Sequence, residues 1–463
     1  MTLIKSISGI RGTIGGKAGQ GLAPIDATKF AAAYGTWIIK NNPNQKPTVV
    51  IGRDARLSGK MISELVIRTL QGLGIHVVDL GLSTTPTVEI AVPMEKAEGG
   101  IIITASHNPK QWNALKLLNE KGEFISDKEG KTILEIAENE DFDFAEVDDL
   151  GTLKTDDSYL EKHIQAVLDL PLVDPEIVKA ANFSVVVDAV NSTGGLFIPS
   201  LLEALGVKTV HKLYCDPTGH FPHNPEPLPE NLTEISSKIV EANVDLGSVV
   251  DPDVDRLAFV CEDGSMFGEE YTLVAVADYI LSKIKGSTVS NLSSTIALRN
   301  ITEKHDCQYT SSAVGEVNVV EKMKETNAVI GGEGNGGIIF PELHYGRDAL
   351  VGIALFLTHL ASKKMKMTEL KASYPNYFIS KNKIQRTPET DVDRILDLLT
   401  VKYEKEEINT IDGVKIIFGN EWVHLSKSNT EPIIRVYSES ESEARANELA
   451  EMIMKDAYSF TQN

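Results

Sequence analysis

The stretch Thr104-Ala105-Ser106-His107-Asn108-Pro109 places a hydroxyl beside an imidazole, directly after the β-branched run 100–103 and ten residues before Lys116. A serine at a strand's end, with a histidine beside it and a lysine within reach, is placed to be an exposed and activated nucleophile. Ser-His-Asn-Pro equally reads as a turn. A second loop, Asp251-Pro252-Asp253-Val254-Asp255-Arg256, again follows a strand-like run. Carboxylates at alternate positions in a loop can converge on one hard cation, and magnesium prefers few carboxylates completed by phosphate oxygen. The bland reading is a solvated acidic turn. A calcium loop would need glycine where Arg256 stands, although Glu262 fits its twelfth position.

Two further loops offer polar contacts. Gly332-Glu333-Gly334-Asn335-Gly336-Gly337 spells a dinucleotide fingerprint, but Ile338–Phe340 and Pro341 follow where a helix should open, and no acid stands about twenty residues on. It reads as a polar loop suited to hydroxyl recognition. Ser426-Lys427-Ser428-Asn429-Thr430-Glu431-Pro432, with Arg435 beyond, has the small side chains of a phosphate-binding nest and an arginine to clamp it, or is a plain turn before a strand. Arginines among glycines recur at Ser8-Gly9-Ile10-Arg11-Gly12 and at Gly52-Arg53-Asp54-Ala55-Arg56, where oxyanion contact competes with ordinary surface exposure. No P-loop spelling occurs.

These loops need elements to carry them. Residues 48–51, 76–80 and 101–104 read as strands and 60–73 as an amphipathic helix, which is the alternation of βαβ units and a mostly parallel sheet. The pattern restarts with strands at 183–188, 208–213 and 246–250 and a helix at 196–205. A third round, from 286 to about 364, holds a strand at 328–330 and a helix at 349–362. The last stretch differs, with helices at 392–405 and 441–458 around strands at 413–418, 422–425 and 433–437. The expected fold class is therefore α/β: three consecutive α/β domains with mixed, mainly parallel sheets, then a C-terminal α+β domain, around a central cleft. The expected divisions are 1–153, 154–256, 257–368 and 369–463, with boundaries in the acidic stretch 141–157 and in 365–382.

Length and composition agree with several domains. A chain of 463 residues exceeds one compact core, and 42% hydrophobic with 24% charged residues is the balance of a globular enzyme. The 45 Lys and Arg against 66 Asp and Glu give a formal charge of −21, a field that repels nucleic acid and anionic membrane. A bound phosphate must then be small and held by a local basic cluster. Neither a signal-peptide core nor an apolar run of membrane-spanning length occurs, so a cytoplasmic protein is expected. Cys215, Cys261 and Cys307 lack thiolate-metal spacing and read as reduced packing residues.

Taken in order, the loops resemble those of the α-D-phosphohexomutases, a family of phosphoglucomutases, phosphomannomutases, phosphoglucosamine mutases and phosphoacetylglucosamine mutases. The resemblance runs the length of the chain. It implies that Ser106 carries a phosphoryl group and that Asp251, Asp253 and Asp255 hold Mg2+, with a phosphoserine oxygen as a further ligand. It implies catalytic roles for His107, for Lys116 as general base and for Arg11. Sugar and phosphate contacts would come from Glu333, Asn335, Arg256, Ser428, Asn429, Thr430 and Arg435. The implied reaction interconverts hexose 6-phosphate and hexose 1-phosphate through a 1,6-bisphosphate, which also serves as activator. Glucosamine phosphate is favoured, with mannose or glucose phosphate close behind. A magnesium-dependent sugar phosphatase and a silent sugar-phosphate sensor are the rival classes. Three places depart from the family: Gly337 stands for a histidine, Ser426 for an arginine and Ala114 for a glycine. The preferred sugar and the oligomeric state are open at this level.

Overall fold

The computed structural model describes residues 2–6, 9–386, 390–427 and 433–461, and the chain divides into two compact units. The first comprises residues 1–272 and 336–370, the second residues 273–335 and 371–463.

The first unit contains a seven-stranded sheet in the order Ile4–Ser6, Gly9–Thr13, Trp112–Leu118, Gly99–Ile103, Thr48–Arg53, His76–Leu82, Leu153–Thr155. Its last four strands run parallel, whereas Trp112–Leu118 and the N-terminal hairpin pair antiparallel. The β-branched runs follow from burial on both faces. Val49, Ile51, Ile101 and Ile103 pack with Phe30, Ile62, Val66 and Ile133 under the helices Pro24–Asn41, Gly59–Gly72 and Asp127–Asn139. The alternate residues Val50 and Ile102 pack on the other face with Val88 and Val92 of the helix Thr85–Met94. A one-residue register slip would exchange the two cores, so pairing is tightly specified.

A four-stranded sheet follows, ordered Leu257–Cys261, Leu246–Val250, Ser184–Asp188, Thr209–Leu213, antiparallel only at Leu257–Cys261. The helix Ala349–Lys363 is apolar around its whole circumference and buried from Ala349 to Ala361, with Phe356 stacked on Phe259 at 4.0 Å between centroids. A helix hydrophobic on every side belongs in a core.

In the second unit the strand Thr288–Asn291 lies parallel between Tyr309–Ser312 and Ile330–Glu333. The C-terminal sheet is antiparallel, ordered Phe378–Gln385, Ile433–Ser440, Glu421–Lys427, Val414–Phe418, Glu407–Asn409, and covered by Val392–Lys402 and Glu443–Thr461. Three α/β domains and a closing α+β domain are thus present. One expected strand is displaced: 328–330 is really Ile330–Glu333, so Gly332 and Glu333 end a strand and only residues 334–336 form the loop. Glycines carry no strand preference, and parallel pairing with Thr288–Asn291 supplies what the side chains lack. No described helix is long and apolar enough to cross a membrane.

Candidate active site

Ser106 emerges from the strand Gly99–Ile103 with φ 48°, a left-handed conformation unusual for a residue with a side chain. Its N–H donates to Thr104 Oγ1 at 3.0 Å and its hydroxyl to Asp251 Oδ2 at 2.8 Å. His107 Nδ1 lies 3.4 Å from the same hydroxyl oxygen. Beneath this turn sits Arg56, 1% exposed, which the sequence offered only as one arginine of a glycine-rich cluster. Its Nη1 donates to the carbonyls of Pro109 and Trp112 at 2.8 and 3.1 Å, and its Nη2 to those of Asn108 at 2.6 Å and of Ser106. Asp54, fully buried, accepts from Arg56 Nε at 3.0 Å and from Thr104 Oγ1 at 2.7 Å. One buried ion pair thereby fixes four carbonyls of the serine loop. The fork of Arg56 is what permits this, since a lysine has no planar set of donors. Arg11 reaches the loop from the neighbouring strand, at 2.9 Å from Asn108 Oδ1.

Asp251, Asp253 and Asp255 follow the buried strand Leu246–Val250, and all three are fully buried. Their oxygens lie within 4.8 Å of one another, as one cation requires. Val254 between them has φ 64°, a costly conformation for a β-branched residue, and it lets alternate carboxylates turn to one side. Lys116 Nζ lies 2.6 Å from Asp253 Oδ2 and 3.3 Å from Asp255 Oδ2. Arg347 Nη2 approaches Asp255 Oδ2 at 2.7 Å, and Thr85 Oγ1 donates to Asp253 Oδ2 at 2.5 Å. Asp253 Oδ1 and Asp255 Oδ1 are buried without a hydrogen-bond partner. Orphaned carboxylate oxygens facing a like-charged neighbour are costly in a dry site, and a divalent cation is the group they fit.

The charges act on one another. Burial, then the charges of Asp255 and Asp253, hold the Asp251 carboxyl well above the ordinary range. Burial pushes Asp253 in the same direction, but Lys116 outweighs it and keeps Asp253 low. For Lys116 burial favours the neutral amine, and the two aspartates overcome it, so the lysine is held protonated. Burial and the cations Arg256 and Arg11 keep the His107 ring neutral.

The remaining loop residues pair locally. Arg256, expected to contact substrate, lies 3.2 Å from Glu226. His223 pairs with Asp188 at 3.1 Å. In the second unit Glu333 is 5% exposed, and its Oε1 accepts from Asn291 Nδ2 at 2.8 Å and Gly315 N at 3.2 Å. Asn335 Nδ2 lies 3.4 Å from Glu333 Oε2. Arg435, half-buried, pairs across the C-terminal sheet with Ser426. Ser428, Asn429 and Thr430 lie outside the described residues. Sequence reasoning missed Thr85 and Arg347, and offered Arg56 for oxyanion contact rather than as the clamp of the serine loop. Arg347 carried a signal, because it precedes Asp348, whose carboxylate accepts from Leu350 N and starts the helix Ala349–Lys363.

Profiles of phosphoglucomutase/phosphomannomutase domains match nearly the whole chain: alpha/beta/alpha domain I over residues 3–144, domain II over 157–264, domain III over 268–377 and the C-terminal domain over 381–456. The chain belongs to the phosphoglucomutase/phosphomannomutase family. Among relatives of this phosphohexomutase family, a phosphoglucomutase/phosphomannomutase of Thermococcus kodakarensis is 36% identical over 96% of this chain and 97% of its own. A phosphoglucosamine/phosphogalactosamine mutase of Sulfurisphaera tokodaii is 32% identical over 96% and 97%. A solved phosphoglucomutase/phosphomannomutase family protein of Burkholderia thailandensis superposes with a TM-score of 0.85 at 25% identity, covering 100% of this chain and 98% of that one. The chain is therefore an enzyme of the phosphohexomutase class, of a family that depends on magnesium, and its domain II carries a buried acidic triad able to hold a metal ion.

Proposed function

We propose that this enzyme interconverts hexose 6-phosphate and hexose 1-phosphate through a phosphoserine at Ser106 and a hexose 1,6-bisphosphate, with glucosamine phosphate first among its sugars. The observation that carries the reading is the Ser106 hydroxyl donating to Asp251 at 2.8 Å, beside two carboxylate oxygens without a hydrogen-bond partner. Asp251, Asp253 and Asp255, together with Ser106, would hold a magnesium ion, which when bound neutralises charge on the phosphoryl group in transfer.

The chain's own residues supply positioning and proton control. When phosphate moves from the bisphosphate to Ser106, the new bond forms at Ser106 Oγ and the hydroxyl proton passes to Asp251 Oδ2, the oxygen that already accepts it at 2.8 Å. The bond to the sugar oxygen breaks, and Lys116, held protonated, gives its proton to that oxygen. In the opposite transfer the neutral lysine takes the hydroxyl proton back, as microscopic reversibility requires. His107, kept neutral, and Arg11, through Asn108, support the serine turn. Glu333 and Asn335 recognise sugar hydroxyls, Arg256 contacts substrate, and the segment Ser428, Asn429, Thr430 and Arg435 holds the phosphate that is not reacting. The bisphosphate, supplied in trace, primes Ser106.

Glucosamine is placed first because the phosphoglucosamine/phosphogalactosamine mutase of Sulfurisphaera tokodaii matches over 97% of its length at 32% identity. The 36% identical relative is named for glucose and mannose phosphates, which keeps those sugars as the alternative. The test is a coupled isomerisation assay on glucosamine, mannose and glucose 6-phosphates with magnesium and trace 1,6-bisphosphate. Wild type should isomerise at least one of them, and Ser106→Ala should lower that rate by at least about a thousandfold. Activity indifferent to Ser106 would refute the reading.

A further inference from the structure

Glu333 is fixed by two loops of the second unit, and both loops are tied in turn to the C-terminal sheet. In the first loop Asn291 Nδ2 donates to Glu333 Oε1, and Ser294 Oγ donates to Asn291 Oδ1 at 3.0 Å while accepting from Gly334 N at 2.9 Å. The intervening residues face the other way. Leu292 O accepts from the buried Lys415 Nζ at 2.7 Å, and Ser293 Oγ lies 2.9 Å from His424 Nδ1. In the second loop Gly315 N donates to Glu333 Oε1, while the preceding amide, Val314 N, donates to Asp412 Oδ2 at 3.0 Å. Each loop thus touches Glu333 with one residue and the C-terminal domain with its neighbour.

The ring closes through His424, whose Nε2 lies 2.6 Å from the Asp412 carbonyl oxygen. A carbonyl only accepts, so Nε2 carries the proton, Nδ1 is the acceptor and the Ser293 hydroxyl donates to it. The imidazole is 1% exposed, and both of its nitrogens are used. A buried network with every member satisfied specifies one arrangement, and breaking one member releases its neighbours.

We propose that His424 and Asp412 are positioning residues for sugar recognition: they hold loops 291–294 and 314–315 so that Glu333 meets the hexose hydroxyls. The role of Glu333 as a sugar contact rests on the function proposed above. His424 and Asp412 touch no substrate themselves and act through Glu333, where a displacement of about 1 Å is enough to cost binding.

The test is a double-mutant cycle of His424→Ala and Glu333→Gln on the full chain, read as kcat/KM for the best hexose phosphate and as Kd for the 6-phosphate by calorimetry. His424→Ala should lower kcat/KM about tenfold, mainly through KM, and Glu333→Gln about a hundredfold. The double variant should fall within about twofold of Glu333→Gln, since the positioning has nothing left to position. Ser293→Ala, which removes only the hydroxyl donor, should shift KM in the same direction and replaces His424→Ala in the cycle if that variant does not fold. Losses that multiply, or a single variant equal to wild type, would overturn the proposal. A wild type that binds sugar phosphate without isomerising it would instead refute the mutase reading, and the Kd cycle would still decide the positioning.

Discussion

Ser106 and Val254 both hold positive φ, and each conformation costs about 1–3 kcal/mol that the surrounding contacts must offset. For Ser106 the offset comes from Arg56 and Asp54, a pair with no exposed side-chain surface. Arg56→Met would leave Asp54 buried without a cation and four carbonyls short of donors, at a cost of about 3–5 kcal/mol. Arg445, whose pairing with Glu421 is exposed, should lose no more than about 1 kcal/mol on the same change. Urea midpoints of the two variants should differ accordingly, and equal midpoints would contradict the clamp. At the aspartates, Asp253→Asn removes one charge from a site with two orphaned oxygens, so magnesium affinity by calorimetry should fall at least about tenfold. Unchanged affinity would place the cation elsewhere.

Among the elements, the sequence displayed those whose side chains face a core on both sides. The runs 48–51, 76–80 and 246–250 were legible because their apolar residues are all buried, and the structure extends two of them only at their ends. The strand Trp112–Leu118 was hidden because Asn113 and Lys116, both buried, break its apolar run, Lys116 reaching Asp253 and Asn113 reaching Ser58 on the other face. Ile330–Glu333 was hidden by its glycines. The strand Glu421–Lys427 carries the best pH probe. Burial above all, with the nearby charge of Lys415, depresses His424 to about 4, against the partial opposition of the Asp412 carbonyl. An unfolded imidazole titrates near 6.5, so above that pH both states are neutral and the full stability is present. As the pH falls toward 4 the unfolded chain takes up a proton that the folded one refuses, and stability drops by on the order of 3 kcal/mol. Denaturant midpoints of wild type and His424→Gln should therefore converge between pH 7 and pH 4. A pH-independent gap would show that the imidazole is not held neutral.

Across the whole molecule, the order of the loops disclosed the family, while the links between distant segments stayed out of reach of the sequence. Nothing in local spacing could join Arg347 to Asp255 or Arg56 to the carbonyl of Asn108, because those pairs meet only after the sheets form. The same long-range closure couples charge to stability. A phosphoryl group on Ser106 adds nearly two negative charges beside three buried aspartates, a load that a bound divalent cation relieves beyond what Lys116 and Arg347 supply. Chelating magnesium should therefore lower the Tm of the phosphorylated enzyme by several degrees more than that of Ser106→Ala, and identical shifts would disconnect the serine from the metal.

The central claim is that phosphate on Ser106 passes to sugar and returns. The most direct measurement loads Ser106 with labelled phosphate from a hexose 1,6-bisphosphate, mixes the enzyme with unlabelled hexose 6-phosphate, and follows the label over single and repeated turnovers. The expected result is label leaving Ser106 for the bisphosphate and hexose phosphates, with the serine rephosphorylated from the sugar and almost no inorganic phosphate formed. Label released as inorganic phosphate in proportion to the sugar consumed would make the enzyme a phosphatase and contradict the account.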